Sequence, residues 1–181
     1  GGKNHEKPPS TSMRNVVVNM QQSPHEYQEV WEHNVYGVSP DDIAEKHVLD
    51  IGAHYGYFSL LSLQLGCKSV VAVEANPATI PTLTDNLAQF PNDTKIIHRA
   101  VTGEGVGKVW LNRSVVCPKV DVIGDIEVQA VSLENCMPDG DDIVLKMDIE
   151  FAEFEVLFNA PGSLIRRFST ICMEIHELEN R

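Results

Sequence analysis

The stretch VLDIGAHYGYFSL, residues 48–60, decides the fold. Val48, Leu49 and Ile51 form a buried strand, Asp50 stands at its carboxyl end, and Gly52 and Gly56 space the turn that leads into an apolar helix. Glycine at both positions lets the backbone turn tightly and approach a ligand without a Cβ in the way. The spacing D-x-G-x-x-x-G differs from the G-x-G-x-x-G of dinucleotide sites, whose second glycine clears room for a pyrophosphate at a helix N-terminus. A carboxylate in the turn repels phosphate and suits a cationic or hydroxyl-bearing ligand, and a sulfonium cofactor answers to both.

Outward from this turn, strands and helices alternate. Strands are predicted at His47–Ile51, Ser69–Glu74 and Lys95–Ala100, with helices near Tyr57–Leu65 and Pro77–Leu87 between them. Ile80, Leu83 and Leu87 share one helical face, and Pro77 suits a first helical turn, where a missing N–H costs nothing. Between Gly103 and Ser132 the pattern changes to alternation at Val109 and Leu111, then at Ile126, Val128 and Ala130, which reads as an antiparallel hairpin with a long loop. The rhythm resumes with a strand at Ile143–Asp148, a helix near Ala152–Asn159 stopped by Pro161-Gly162, and a last strand at Thr170–Ile175. Alternation of this kind builds an α/β fold on a mostly parallel sheet flanked by helices, here with a β-hairpin insertion.

At the amino end, residues 1–12 are polar and proline-bearing and read as a tail or an expression remnant. Residues 13–181 form one domain: a packing or lid segment over 13–46 and a cofactor-binding core over 47–181. Within the first of these, Val16-Val17-Val18 is β-rich, and Tyr27, Val30, Trp31 and Val35 are spaced for one helix.

A length of 181 residues with 43% hydrophobic and 22% charged residues is that of a single globular core. A formal charge of −12 opposes broad attraction to nucleic acid or to anionic lipid. No apolar run approaches the roughly 20 residues that span a bilayer, and the first residues of the sequence do not have the charged-then-apolar layout of a secretion signal. Cys67, Cys117, Cys136 and Cys172 are scattered without a C-x-x-C pair, as in reduced cytoplasmic proteins. The expected setting is therefore the cytoplasm, and the triplets at Asn92 and Asn112 are not expected to be glycosylated.

Four places carry chemistry. The Asp50 turn is the first, and Glu74, which closes the second strand 24 residues later, is the second. An acid there is placed to accept hydrogen bonds from both hydroxyls of a ribose. The third is LKMDIEFAE, residues 145–153, where alternation puts Lys146, Asp148 and Glu150 on one side at the strand's carboxyl end. The fourth is MEIHE, residues 173–177, with Glu174 and His176 on one side. A neutral imidazole at His176 takes a proton from a hydroxyl near neutral pH, and His54 in the glycine turn is a further proton-handling candidate. Asp148 and Glu150 equally suit the N-terminus of the next helix. No spacing among these groups is diagnostic of a metal.

The motifs VLDIGAHYGYFS, AVEANP, HRAV, AVSLENCM, LKMDIEFAEFEVL and MEIHE, in this order across Val48 to His176, resemble the FkbM-like family of S-adenosylmethionine-dependent methyltransferases. The resemblance implies a Rossmann-like methyltransferase fold. It implies that Asp50, Gly52 and Gly56, with Ala53 and His54 of the same turn, cradle the methionine part of the cofactor. Glu74 would bind its ribose with Ala75 beside it, and Ala100 would lie near the adenine. Asp148 and Glu150 would border the cofactor and the acceptor, leaving Asp148, Glu150 and His176 as the catalytic candidates. The implied reaction is methyl transfer to a hydroxyl of a sugar or small metabolite.

The chain departs from the family's pattern at His54, where Asn is frequent, at Ala75, where Pro is frequent, and at Phe151, where Gly is usual. The family's fold also continues with two strands beyond the fifth, so either further chain or the amino-terminal segment takes their place. Phe151 motivates a second expectation, a cofactor-binding module without turnover. A nicotinamide oxidoreductase is a third, on the shared strand-glycine-helix architecture, with the missing G-x-G-x-x-G against it.

Overall fold

The structure, a computed structural model, describes residues 13–103, 105–111, 124–149 and 152–174. In chain order they form α1 (Pro24–Tyr27), which runs into a π-helical turn (Gln28–Glu32), α2 (Pro40–Ile43), β1 (His47–Ile51), α3 (Tyr57–Gln64) and β2 (Ser69–Glu74). There follow α4 (Ile80–Leu87), β3 (Thr94–His98), β4 (Ala100–Thr102), β5 (Lys108–Leu111), β6 (Ile126–Ser132) and α5 (Leu133–Cys136). The last elements are β7 (Ile143–Met147), α6 (Glu153–Asn159), α7 (Gly162–Ile165) and β8 (Phe168–Met173).

The main sheet has the order β3-β2-β1-β7-β8, every pair parallel. β1 is central, flanked by β2 and β7, so its apolar residues Val48, Leu49 and Ile51 are buried, with Val48 on one face and Leu49 and Ile51 on the other. Alternate residues enter opposite cores. Val48, Val70, Ala72 and Val144 join Leu60 and Leu63 on one face, while Leu49, Ile51, Val71, Leu145 and Met147 join Leu133 and Val156 on the other.

The chain steps from β1 outward to β2 and β3, then returns to the opposite side of β1 for β7 and β8. Such a reversal opens a crevice at the carboxyl ends of the two strands that flank it. In this sheet those strands are β1 and β7, so the topology places the crevice outside their carboxyl ends, beyond the Gly52 turn and Asp148, which pack on one another.

Three expectations change in detail. The predicted strand over 95–100 is two strands, because Arg99 N turns to donate to Glu74 O at 3.1 Å. After that turn β4 pairs with β6, not with β2. The antiparallel pairing of β5 with β6 is present, and it belongs to a three-stranded sheet, β4-β6-β5, rather than to a lone hairpin. The loop expected between its strands lies largely outside the described residues. α4 begins at Ile80 with Pro81 in its first turn, not at Pro77.

The segment before β1 is less regular than its spacing suggests. Val16-Val17-Val18 forms no strand: Val17 exchanges both of its backbone hydrogen bonds with the side chain of Gln89, at 2.8 and 2.9 Å, which leaves no ladder to extend. The predicted helix is the single turn of α1 and the π-helical turn, which set Tyr27 and Trp31 against Tyr57 of α3. Among the described residues no helix is long and apolar enough to cross a membrane.

Candidate functional site

The turn after β1 is held from the protein side. Gly52 N and Ala53 N both donate to Val73 O, at 2.9 and 3.0 Å, and Gly56 N donates to Ala53 O at 2.7 Å. Gly52 has φ +77°, and a Cβ on it would stand 1.9 Å from the carbonyl oxygen of Asp148. Gly56, at φ +84°, caps α3, and a Cβ there would meet Leu83 at 2.8 Å. Both positions need glycine, because the space beside each Cα is filled by Asp148 and Leu83. The Cβ directions of these two glycines are thus taken up by packing within the protein. Ala53 is buried in the core with its N–H already used.

Asp50 does not stand open in the crevice. Its side chain is wholly buried on the face of the sheet that α3 covers. Oδ2 accepts a 2.7 Å hydrogen bond from Ser59 Oγ, and Oδ1 lies 3.2 Å from Lys146 Nζ, off the line of a good hydrogen bond. Lys146 sits opposite Asp50 in the β1–β7 register and donates to Gly52 O at 2.7 Å. Burial acts to lower the pKa of Lys146, and the adjoining Asp50 outweighs it, so the ammonium stays charged. The Asp50–Lys146 pair thus underpins the turn, and Asp50 reaches a ligand only through the backbone it supports.

Glu74 stands at the end of β2, 6% exposed. Oε2 accepts the N–H of His54 at 2.7 Å, and Oε1 accepts that of Asn76 at 2.6 Å. A carboxylate has about four lone-pair sites, so after these two bonds each oxygen keeps one for a further donor. Two vicinal hydroxyls match that arrangement. Next in the chain, Ala75 packs against the cluster of Ala100, Val109, Leu111 and Val128, an apolar wall beside the acid.

His54 adopts φ +50°, which turns its N–H to Glu74 and its ring to α1, where Nδ1 donates to Glu26 Oε2 at 2.5 Å. Burial, the largest influence, acts to lower the imidazole's pKa. The hydrogen bond and charge of Glu26, with the charge of Glu74, raise it on balance.

Asp148 is half-buried just past β7, and Oδ2 accepts a 3.2 Å hydrogen bond from Tyr36 Oη. Behind it, the buried carboxylate of Glu153 accepts the N–H of Ile149 at 2.9 Å, which fixes the loop between β7 and α6. Glu150, Phe151 and His176 lie outside the described residues, and Glu174 is the last residue before that limit. Tyr36 and Glu26 join the site unannounced by any local motif, and Glu153 closes the LKMDIEFAE stretch without a role read from it. Tyr36 is 112 residues from its partner.

The crevice therefore carries Glu74 and Asp148, while the negative charge of Asp50 is balanced by Lys146. It favours a cationic ligand with vicinal hydroxyls and disfavours a pyrophosphate. Burial pushes the thiols of Cys67 and Cys136 up to about 12, so neither is a thiolate nucleophile at neutral pH. Among the described residues no group of three or more His, Cys, Asp or Glu is placed to hold a metal ion.

Residues 50–181 match the family described as the methyltransferase FkbM domain. Among solved structures the chain is similar to methyltransferase FkbM from Methylobacillus flagellatus KT, at 20% identity and TM-score 0.48, over 74% of this chain and 33% of that one. It is also similar to precorrin-6y C5,15-methyltransferase from Geobacter metallireducens GS-15, at 16% identity and TM-score 0.46, over 81% of this chain and 64% of that one. The chain thus spans less than two thirds of the length of either structure. No curated protein matches the sequence.

Proposed function

The chain belongs to the methyltransferase FkbM domain family, and from that membership we propose that it moves a methyl group from S-adenosylmethionine to a hydroxyl of a sugar or other small metabolite. The observation that carries the cofactor assignment is Glu74: a nearly buried carboxylate at the end of β2, with one acceptor site left on each oxygen, beside the turn of the strand-order reversal. It suits the two ribose hydroxyls. The negative crevice suits a sulfonium, and it also weighs against a nicotinamide dinucleotide.

When bound, the cofactor supplies an electrophilic methyl group on sulfur. The residues of the chain orient, hold and take up a proton. The turn from Gly52 to Gly56 forms the floor, with Ala53 and His54 presented by backbone that Val73 and Glu74 fix. The wall of Ala75 and Ala100 suits the adenine. Asp148 accepts a hydrogen bond from the acceptor hydroxyl and takes its proton as the oxygen attacks, with Glu150 and His176 as the further candidates for that role. Positioning supplies most of the acceleration, and general base help contributes a further ~10²–10⁴-fold.

The test is transfer of isotopically labelled methyl from S-adenosylmethionine into pools of hydroxylated and of amine acceptors. Label in ethers, lost in Asp148→Asn, is the expected result; label confined to nitrogen or carbon would refute O-methylation. Phe151, at a position where the resemblance leads one to expect glycine, motivates a second reading, a binding module without turnover. That reading requires cofactor binding with no transfer in the wild type, and transfer gained by Phe151→Gly would place the block at that side chain.

A further inference from the structure

We infer that Tyr36, from the segment before β1, is a positioning residue of this site: its hydroxyl fixes the Asp148 carboxylate at the carboxyl end of β7, towards the methyl-donor crevice. The inference rests on the methyltransferase reading and adds to it a residue that lies ahead of the matched region, which begins at residue 50.

Tyr36 is placed by a small built loop. Asn34, at φ +47°, clasps Val38 with both ends of its amide, Nδ2 donating to Val38 O at 2.9 Å and Oδ1 accepting from Val38 N at 3.1 Å. Gly37, at φ +63°, closes the turn by donating its N–H to Asn34 O at 2.8 Å. The phenol ring is then held on two sides. Phe58 of α3 meets it edge-on at 5.3 Å between centroids, and Lys146 Nζ lies 5.5 Å from its centroid.

With the ring fixed, the hydroxyl has one direction to point, and it donates to Asp148 Oδ2. Burial, with the charges of Asp148 and Asp50, drives the phenol's pKa upward against the opposing charge of Lys146. The group therefore remains a donor throughout the working pH range. A donor on Oδ2 restricts the carboxylate's rotation. A chain of contacts joins Tyr36, Asp148 and Lys146 to the floor at Gly52, so one packed unit carries both the turn and the acid.

A role in positioning the acid differs from a role in packing in one measurable way: it acts on charge at the methyl position and leaves the rest of the cofactor alone. Two ligands separate these effects. S-adenosylhomocysteine lacks the methyl and its positive charge, whereas sinefungin carries an ammonium at that place. Both would be titrated calorimetrically into wild type, Tyr36→Phe, Tyr36→Ala and Asp148→Asn, with a melting curve for each variant.

The expected result is a preference of the wild type for sinefungin, lost by about tenfold in both Tyr36→Phe and Asp148→Asn, the size of one charged hydrogen bond. Affinity for S-adenosylhomocysteine and the melting temperature stay close to wild type in Tyr36→Phe, which keeps the ring. Equal weakening of both ligands in Tyr36→Phe, or no change in either, would overturn the inference, and a defect seen only in Tyr36→Ala would assign the ring to packing. Retained S-adenosylhomocysteine binding without any preference for sinefungin would overturn it while sparing the cofactor site. Failure of the wild type to bind S-adenosylhomocysteine would remove the cofactor reading itself, and this inference with it.

Discussion

Lys146 Nζ lies 3.2 Å from Oδ1 of Asp50 and 2.7 Å from the carbonyl oxygen of Gly52, at paired positions of the two strands between which the sheet reverses. Both side chains are almost wholly buried. A charge pair of this kind is costly to assemble, because each ion loses its hydration, and far costlier to break on one side. It ties the end of β1, the glycine turn and β7 into one unit at the mouth of the crevice.

Lys146→Met should therefore destabilise the fold by about 3–5 kcal/mol, since it leaves the buried Asp50 charge uncompensated, hydrogen-bonded to Ser59. Asp50→Leu combined with Lys146→Met removes both charges and should recover a large part of that loss. Urea unfolding of the two single variants and the double variant measures the coupling. Additive losses would show that the pair does not interact as its geometry demands.

Gly52→Ala and Gly37→Ala should differ sharply although both residues have positive φ. At Gly52 the new methyl would stand 1.9 Å from Asp148 O, and backbone has to move; at Gly37 nothing lies within 4 Å. The cost at Gly37 is the left-handed strain alone, about 1–2 kcal/mol. At Gly52 the loss should exceed 4 kcal/mol or abolish folding, roughly the tail of point-mutant effects. Thermal unfolding of both variants compares them directly.

The Glu26–His54 bridge gives a pH dependence of defined sign. The folded-state pKa of His54 is raised above its unfolded value of about 6.5. A raised pKa means that folding favours the protonated imidazole. The stabilisation is complete below the unfolded pKa and is lost as pH rises through the folded one. The stability difference between wild type and Glu26→Gln should thus shrink as pH rises above about 6.5. His54 is half-exposed, so solvent screening holds the effect to a few tenths of a kcal/mol up to about 1. A difference that grows with pH would contradict the bridge.

The parallel sheet is legible in the sequence because its central strands are buried on both faces and read as apolar runs, unbroken over 70–73 and 143–145 and interrupted at 48–51 by Asp50. The positions of Asp50, Glu74 and Asp148 at strand ends follow from the same runs. Their surroundings do not. That Asp50 faces Lys146 depends on β7 lying next to β1, and strand order is set by long-range packing rather than by local pattern. The glycines illustrate the same limit: their spacing announces a turn, while Leu83 and Asp148, which fill the space beside them, come from distant parts of the chain. The amino-terminal segment was the least legible. Its contacts through Glu26 to His54 and Tyr36 to Asp148 span 28 and 112 residues and leave no periodic trace.

The assignment of Glu74 to the cofactor's ribose is the claim on which the functional reading depends. Calorimetric titration of S-adenosylmethionine into wild type and Glu74→Gln tests it most directly, because glutamine keeps the shape and one acceptor for the two backbone N–H groups while removing the charge. Binding by the wild type, weakened about tenfold or more in the variant, is the expected result, the size of a charge-assisted hydrogen bond. No binding by the wild type, or equal affinity in the two proteins, would contradict the site.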